Sequence, residues 1–153
     1  MLQERSDDEI LISKQSGALW SRRGQELALW LERPKIVLHP KQTMLLEGVE
    51  VDAELYKSLS LLREKRVRTE FSCAGVSPLD EPEEHSLYAY VTLYADDRAE
   101  RFVQLAMGMM GRRLLVTYEP GRGRYDLSSF FLGHNRSFCR WIEHCAERFT
   151  MNE

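Results

Sequence analysis

Arg66-Val67-Arg68-Thr69-Glu70-Phe71-Ser72-Cys73-Ala74-Gly75 is the stretch that decides the fold. It leaves a leucine helix, runs through strand-favouring Val, Thr and Phe, and ends in a tight polar turn carrying a thiol. Just upstream, Leu55, Leu59 and Leu62 recur at helical spacing and define one apolar face. Asp52 stands where a helix cap is needed, since a carboxylate accepts the free N–H groups of a first turn. Arg63, Lys65 and Arg66 fall in the last turn, where cations suit the negative end of the helix dipole.

Downstream, residues 76–85 hold Pro78, Asp80 and Pro82 and predict a surface loop. Residues 87–94 then alternate, with Leu87, Ala89, Val91 and Leu93 on one side and Tyr88, Tyr90, Thr92 and Tyr94 on the other. Asp97 with Glu100 has capping-box spacing, and Phe102, Leu105, Ala106 and Met109 mark a core-facing helix that Gly111 stops. Residues 113–119 and 124–132 flank Pro120-Gly121-Arg122-Gly123 and predict a hairpin. A terminal helix, capped at Asn135 or Ser137, places Phe138, Trp141, Ile142, Cys145 and Phe149 on one face.

Upstream of the leucine helix, residues 44–51 predict a strand, with Gly48 as a turn or bulge, and Ile36-Val37-Leu38 a shorter one. Residues 25–31 predict a short helix or a buried turn ended by Pro34, and residues 1–20 a loose arm with a short docked piece. From residue 44 the order is strand, helix, strand, strand, helix, strand, strand, helix. That order predicts an α+β fold, a ferredoxin-like split βαβ sandwich with an extra C-terminal strand and helix. Residues 1–43 are expected as an extension docking on the domain formed by 44–153.

Composition narrows the function. Of 153 residues, 43% are hydrophobic and 29% charged, the balance of an ordinary soluble domain. No run reaches the length of a membrane span, and the polar start is no secretory signal. The three cysteines, Cys73, Cys139 and Cys145, form no even framework and no CxxC pair, which points to a reducing cytoplasm. A net charge of −3 excludes coating of nucleic acid by bulk electrostatics but leaves room for a local basic patch.

Several constellations can carry chemistry. A turn at a strand end exposes successive N–H groups, glycine permits positive φ there, and such a nest holds an anion. Ser72 adds a hydroxyl, Arg66 and Arg68 are expected two apart on a strand and projecting to one side, and Thr69 follows them, so Arg66, Arg68, Thr69, Ser72, Cys73 and Gly75 are candidate ligand-binding residues. Nearby arginines also favour the Cys73 thiolate; the competing explanation is a buried cysteine beside a glycine turn. Tyr88 and Tyr90, with Tyr94 on the same face, extend the candidate site, because a tyrosine face left uncovered stacks nucleobases; covered by the N-terminal arm or a second copy, it is packing. Arg112-Arg113 and Arg122-Gly123-Arg124 are further basic clusters, suited to phosphate or merely solvated. The histidine and cysteine spacings fit no metal site, no nucleotide loop motif is present, and His39 and His85 are the available bases for a Cys73 nucleophile.

The Thr69-x-Phe71-Ser72-Cys73-x-Gly75 pattern resembles a motif in small uncharacterised bacterial and phage proteins. More distantly, it is similar to the Ser-Cys-Ser-Gly-Arg turn of the wybutosine-synthesis tRNA methyltransferases, with Val76 where that family has arginine. The second resemblance implies Ser72, Cys73 and Gly75 as site residues and S-adenosylmethionine as cofactor; the residues themselves show no cofactor loop. The leading expectation is a binding module for a nucleotide, RNA or other anionic ligand at the Ser-Cys-x-Gly turn. The alternatives are an S-adenosylmethionine-dependent nucleic-acid-modifying methyltransferase and a non-catalytic homodimeric interaction protein.

Overall fold

Period-two alternation builds the sheet. In a computed structural model that describes residues 9–34, 42–77 and 86–150, Val91 and Leu93 of β5 (Tyr90–Tyr94) face the core, as do Leu114 and Val116 of β6 (Leu114–Glu119) and Leu127 of β7 (Arg124–Ser129). With β4 (Thr69–Cys73) and β1 (Ile10–Leu11) they form a five-stranded antiparallel sheet in the order β1-β6-β7-β5-β4. Helices α2 (Tyr56–Glu64), α3 (Asp97–Met110) and α4 (Asn135–Arg148) lay their apolar stripes on this one face. Leu55, Leu59 and Leu62 are buried as their spacing predicts, with Phe102, Val103, Ala106, Phe138, Ile142 and Cys145 opposite them.

The helix ends follow local chemistry. Asp96, rather than Asp97, caps α3, its carboxylate accepting from Ala99 N–H at 2.7 Å. Gly111 ends that helix at φ +60°, as its position predicts. After α2 the chain passes through Arg66 at φ +65°, with Val67 N–H donating to Leu62 C=O and Arg66 N–H to Arg63 C=O, a Schellman closure with an arginine where glycine is preferred. Lys65 reaches across to cap α4, its Nζ donating to the carbonyls of Ala146 and Glu147.

The α+β class stands. β5 and β6 both run antiparallel to β7, which lies between them, so β5-α3-β6 is one split βαβ unit. The finer expectation needed a strand before α2 inside the sheet. That segment instead folds as a hairpin of its own, β2 (Thr43–Leu46) and β3 (Val49–Asp52), because Glu47 and Gly48 both take positive φ and turn the chain back. The inner place is taken by β7, so the last strand is inserted rather than appended.

The N-terminal segment contributes an edge strand and a helix. β1 pairs with β6, and α1 (Gly17–Glu32) starts eight residues before the expected position, where Ser16 Oγ accepts from Leu19 N–H at 3.2 Å. α1 crosses one end of the sheet. Arg23 donates to Phe130 C=O at 2.7 Å, Glu26 accepts from Leu132 and Gly133 N–H, and Trp30 Nε1 donates to Ser77 C=O. The expected strand at 36–38, most of the 76–85 loop, and His39 and His85 lie outside the described residues.

Candidate functional site

The 72–75 turn is closed. Cys73 is 5% exposed, and its neighbours Ala74 and Val76 are buried. Ala74 N–H donates to the Asp52 carboxylate at 2.7 Å, so Asp52 holds this turn and makes no side-chain cap to the helix it precedes. Gly75 N–H at 3.4 Å and Ser86 N–H at 3.2 Å both point at Cys73 Sγ. Asn135, buried at the start of α4, ties the segments together: its Oδ1 accepts from Ala89 N–H, and its Nδ2 donates to Val76 and Leu87 C=O, all within 2.8–2.9 Å. Gly75 sits at φ +82°, and a Cβ there would lie 2.6 Å from Ala89 N and collide with the Asn135 amide. The N–H groups that made the turn attractive for an anion are therefore engaged internally.

The other expected site residues are spread out. Arg66 lies in the helix closure rather than on a strand, so it does not share a face with Arg68. Arg68 pairs with Asp96 at 3.4 Å and lies 5.1 Å over the Tyr94 ring. Both precede β4, while Cys73 ends it, about 16 Å of extended chain from Arg68. Thr69 pairs with Leu93 at the arginine end, and Ser72 pairs with Val91 beyond an irregularity in the ladder. Tyr88 stops short of the strand; its ring carries Arg23 at 3.9 Å and packs in a small cluster with Trp30, Val76 and Leu132. Burial there raises the Tyr88 phenol and lowers the Arg23 guanidinium from their ordinary values.

What the structure does bring together lies on the sheet face away from α2, α3 and α4. The strand register aligns three rows across β6, β7 and β5: Leu115, Ser128 and Tyr90; Thr117, Asp126 and Thr92; Glu119, Arg124 and Tyr94. Arg124 stacks on Tyr94 at 3.9 Å while donating to Glu70 at 2.6 Å. Arg122 joins Glu70 at 3.6 Å and Glu119 at 3.4 Å. The bond from Arg124 holds the Glu70 carboxyl below the usual carboxylate range, and the same bond raises Arg124. Two guanidiniums, those of Arg68 and Arg124, thus stand over one tyrosine, with Arg122 joined to Arg124 through Glu70.

Asp126 behaves differently. Burial, helped by the nearby Glu9 and Glu119 charges, pushes its carboxyl up to about 6 against the bond from Thr92 Oγ1, 3.1 Å from its Oδ1. Sequence reasoning placed Tyr90 and Tyr94 on one stacking face and took Arg124 as a phosphate candidate, but it did not bring Arg124 to Tyr94 and missed Asp126 altogether. The shared parity of Tyr90, Thr92, Tyr94 and of Arg124, Asp126, Ser128 was the available signal, but only the pairing register converts it into rows.

Among the described residues no group of three or more His, Cys, Asp or Glu side chains is arranged to hold a metal ion. All three cysteines are buried thiols, and burial pushes Cys139 and Cys145 up to about 12 and 11. No described helix is long and apolar enough to cross a membrane. Compared with family models, with curated proteins and with solved structures, the chain shows no match.

Proposed function

We propose that this chain is a binding module for the bases and phosphates of a nucleotide or single-stranded RNA, and that the ligand lies across the sheet face opposite α2, α3 and α4, beside the end where α1 packs on Tyr88 and Phe130, rather than in the Ser-Cys-x-Gly turn. One observation carries the proposal: Tyr90 and Tyr94 lie on that face two rows apart, and Arg124 and Arg68 stand over Tyr94. Bases stack on aromatic rings and on guanidinium planes, and arginine pairs with phosphate oxygens, so this combination suits a base with its backbone alongside. The spatial order and directions of β6-β7-β5-β4 support reading the sheet as ferredoxin-like, with the inner strand moved from before the first helix to after the last edge strand. Small α+β modules of that build take RNA on the open face.

The test is fluorescence anisotropy of a labelled mixed-sequence RNA octamer at low salt. Tyr94→Ala and Tyr90→Ala should each weaken binding by about fivefold or more, the scale of one lost base stack, whereas Ser72→Ala should leave it unchanged. No binding by the wild type, or loss with Ser72→Ala alone, refutes the proposal.

A further inference from the structure

Asp126 occupies the middle of the face just described. It sits on β7, between Thr117 on β6 and Thr92 on β5, with the Tyr90 row on one side and the Tyr94 row on the other. It lies one row, about 7 Å along the strands, from each of the two tyrosine rows. Around Tyr94 the acidic side chains are matched: Glu70 to Arg124 and Arg122, Glu119 to Arg122, Asp96 to Arg68. Asp126 is not matched. Among the described residues its one hydrogen bond comes from Thr92 Oγ1, and it has no ion pair.

An ionised carboxylate has about four acceptor positions, and here one is used. Leaving the rest unfilled in a half-buried place is unfavourable, and the Glu9 and Glu119 charges add to that. The group therefore suits an incoming partner that brings N–H donors and no acceptor directly opposite.

Resting on the sheet-face proposal, we infer that Asp126 selects the base: it accepts the two adjacent N–H donors of a guanine edge while the ring stacks on the tyrosine row. The chemistry discriminates sharply. Guanine offers N1–H and the 2-amino group side by side, the pattern a carboxylate takes with both oxygens. Adenine and cytosine each set one amino donor beside a ring-nitrogen acceptor, and uracil sets one N–H between two carbonyls. Each of those puts a lone pair against a carboxylate oxygen.

Anisotropy of labelled (GU)4, (AU)4 and (IU)4 octamers, with guanosine monophosphate as unlabelled competitor, tests this. Inosine keeps N1–H and lacks the 2-amino group. Wild type should bind (GU)4 about tenfold tighter than (AU)4, within the range of a two-point base contact, with (IU)4 between them. Asp126→Asn, checked for an unchanged circular dichroism spectrum, should bring the three within about twofold of each other; Asp126→Ala should do the same without an amide to rearrange. Competition by guanosine monophosphate at concentrations where adenosine monophosphate fails marks the free nucleotide as sufficient; competition by (GU)4 alone marks the strand as the ligand. Either supports selection by Asp126. Equal binding of all three octamers by wild type, or a guanine preference that survives in both variants, overturns it while leaving the sheet-face proposal in place. No octamer binding at all removes both.

Discussion

Replacing Asp126 by Asn should make the protein more stable at neutral pH. The carboxyl ionises near pH 6 in the folded chain and near 3.8 when exposed. Below pH 3.8 it is protonated in both states and adds no penalty. As pH rises from about 4 through 6, the unfolded chain releases this proton first, so the unfolded state binds fewer protons and stability falls. Above about pH 7 the loss is complete. At about 1.36 kcal/mol per pH unit the gap corresponds to about 3 kcal/mol. Local relaxation and water entry reduce that, so a gain of about 1–3 kcal/mol is expected. Asn keeps the carbonyl that accepts from Thr92 and carries no charge. Urea unfolding of both proteins at pH 4.0, 6.0 and 7.5, at fixed ionic strength, measures the difference. It should be small at pH 4.0 and grow toward pH 7.5. A variant less stable than wild type at pH 7.5, or a difference that does not change with pH, refutes the reasoning. A side chain that weakens its own fold is the kind kept for binding.

Gly75→Ala combines a disfavoured φ of +82° with a Cβ 2.6 Å from Ala89 N, and should cost about 2–4 kcal/mol, read as a lower urea midpoint. Asn135→Ala strands Ala89 N–H and the carbonyls of Val76 and Leu87, so a loss of about 3–5 kcal/mol is expected in the same assay. Arg66→Gly relieves φ +65° at the end of α2 and should stabilise by about 0.5–1 kcal/mol, seen as a higher thermal midpoint. Cys139 and Cys145, with thiols pushed up to about 12 and 11, should resist iodoacetamide at pH 8 until denaturant is added, as mass spectrometry of the alkylated chain will show. If Arg68, Arg122 and Arg124 supply the phosphate contacts, log K against log salt for RNA binding should have a slope no steeper than about −2, from about 0.7 per phosphate on a single strand.

Elements set by local pattern were legible in the sequence. The Leu55-Leu59-Leu62 stripe, the Val91 and Leu93 alternation, the hairpin around residues 120–123 and the Gly111 stop all lie where their spacing places them. What escaped depends on distant partners. Asn135 has the composition of a helix cap, yet its three bonds go to residues 46 to 59 positions away. Asp52 is likewise drawn from its helix to Ala74, 22 positions on. Those two side chains close the turn that looked open, since nothing near residues 72–75 announces them. β7 carried the right alternation, but its place between β5 and β6 follows from which edge the returning hairpin meets. The Arg124, Tyr94 and Glu70 group exists only once that place is fixed.

The late arrival of β7 orders the making of the molecule. β5 and β6 pair with β7 and not with each other, so until residues 124–129 are made the sheet has no strand to lie between β5 and β6. Synthesis of those residues joins them. Until then the rows of the sheet face do not exist, and a ligand that needs Tyr94, Arg124 and Asp126 together has no site.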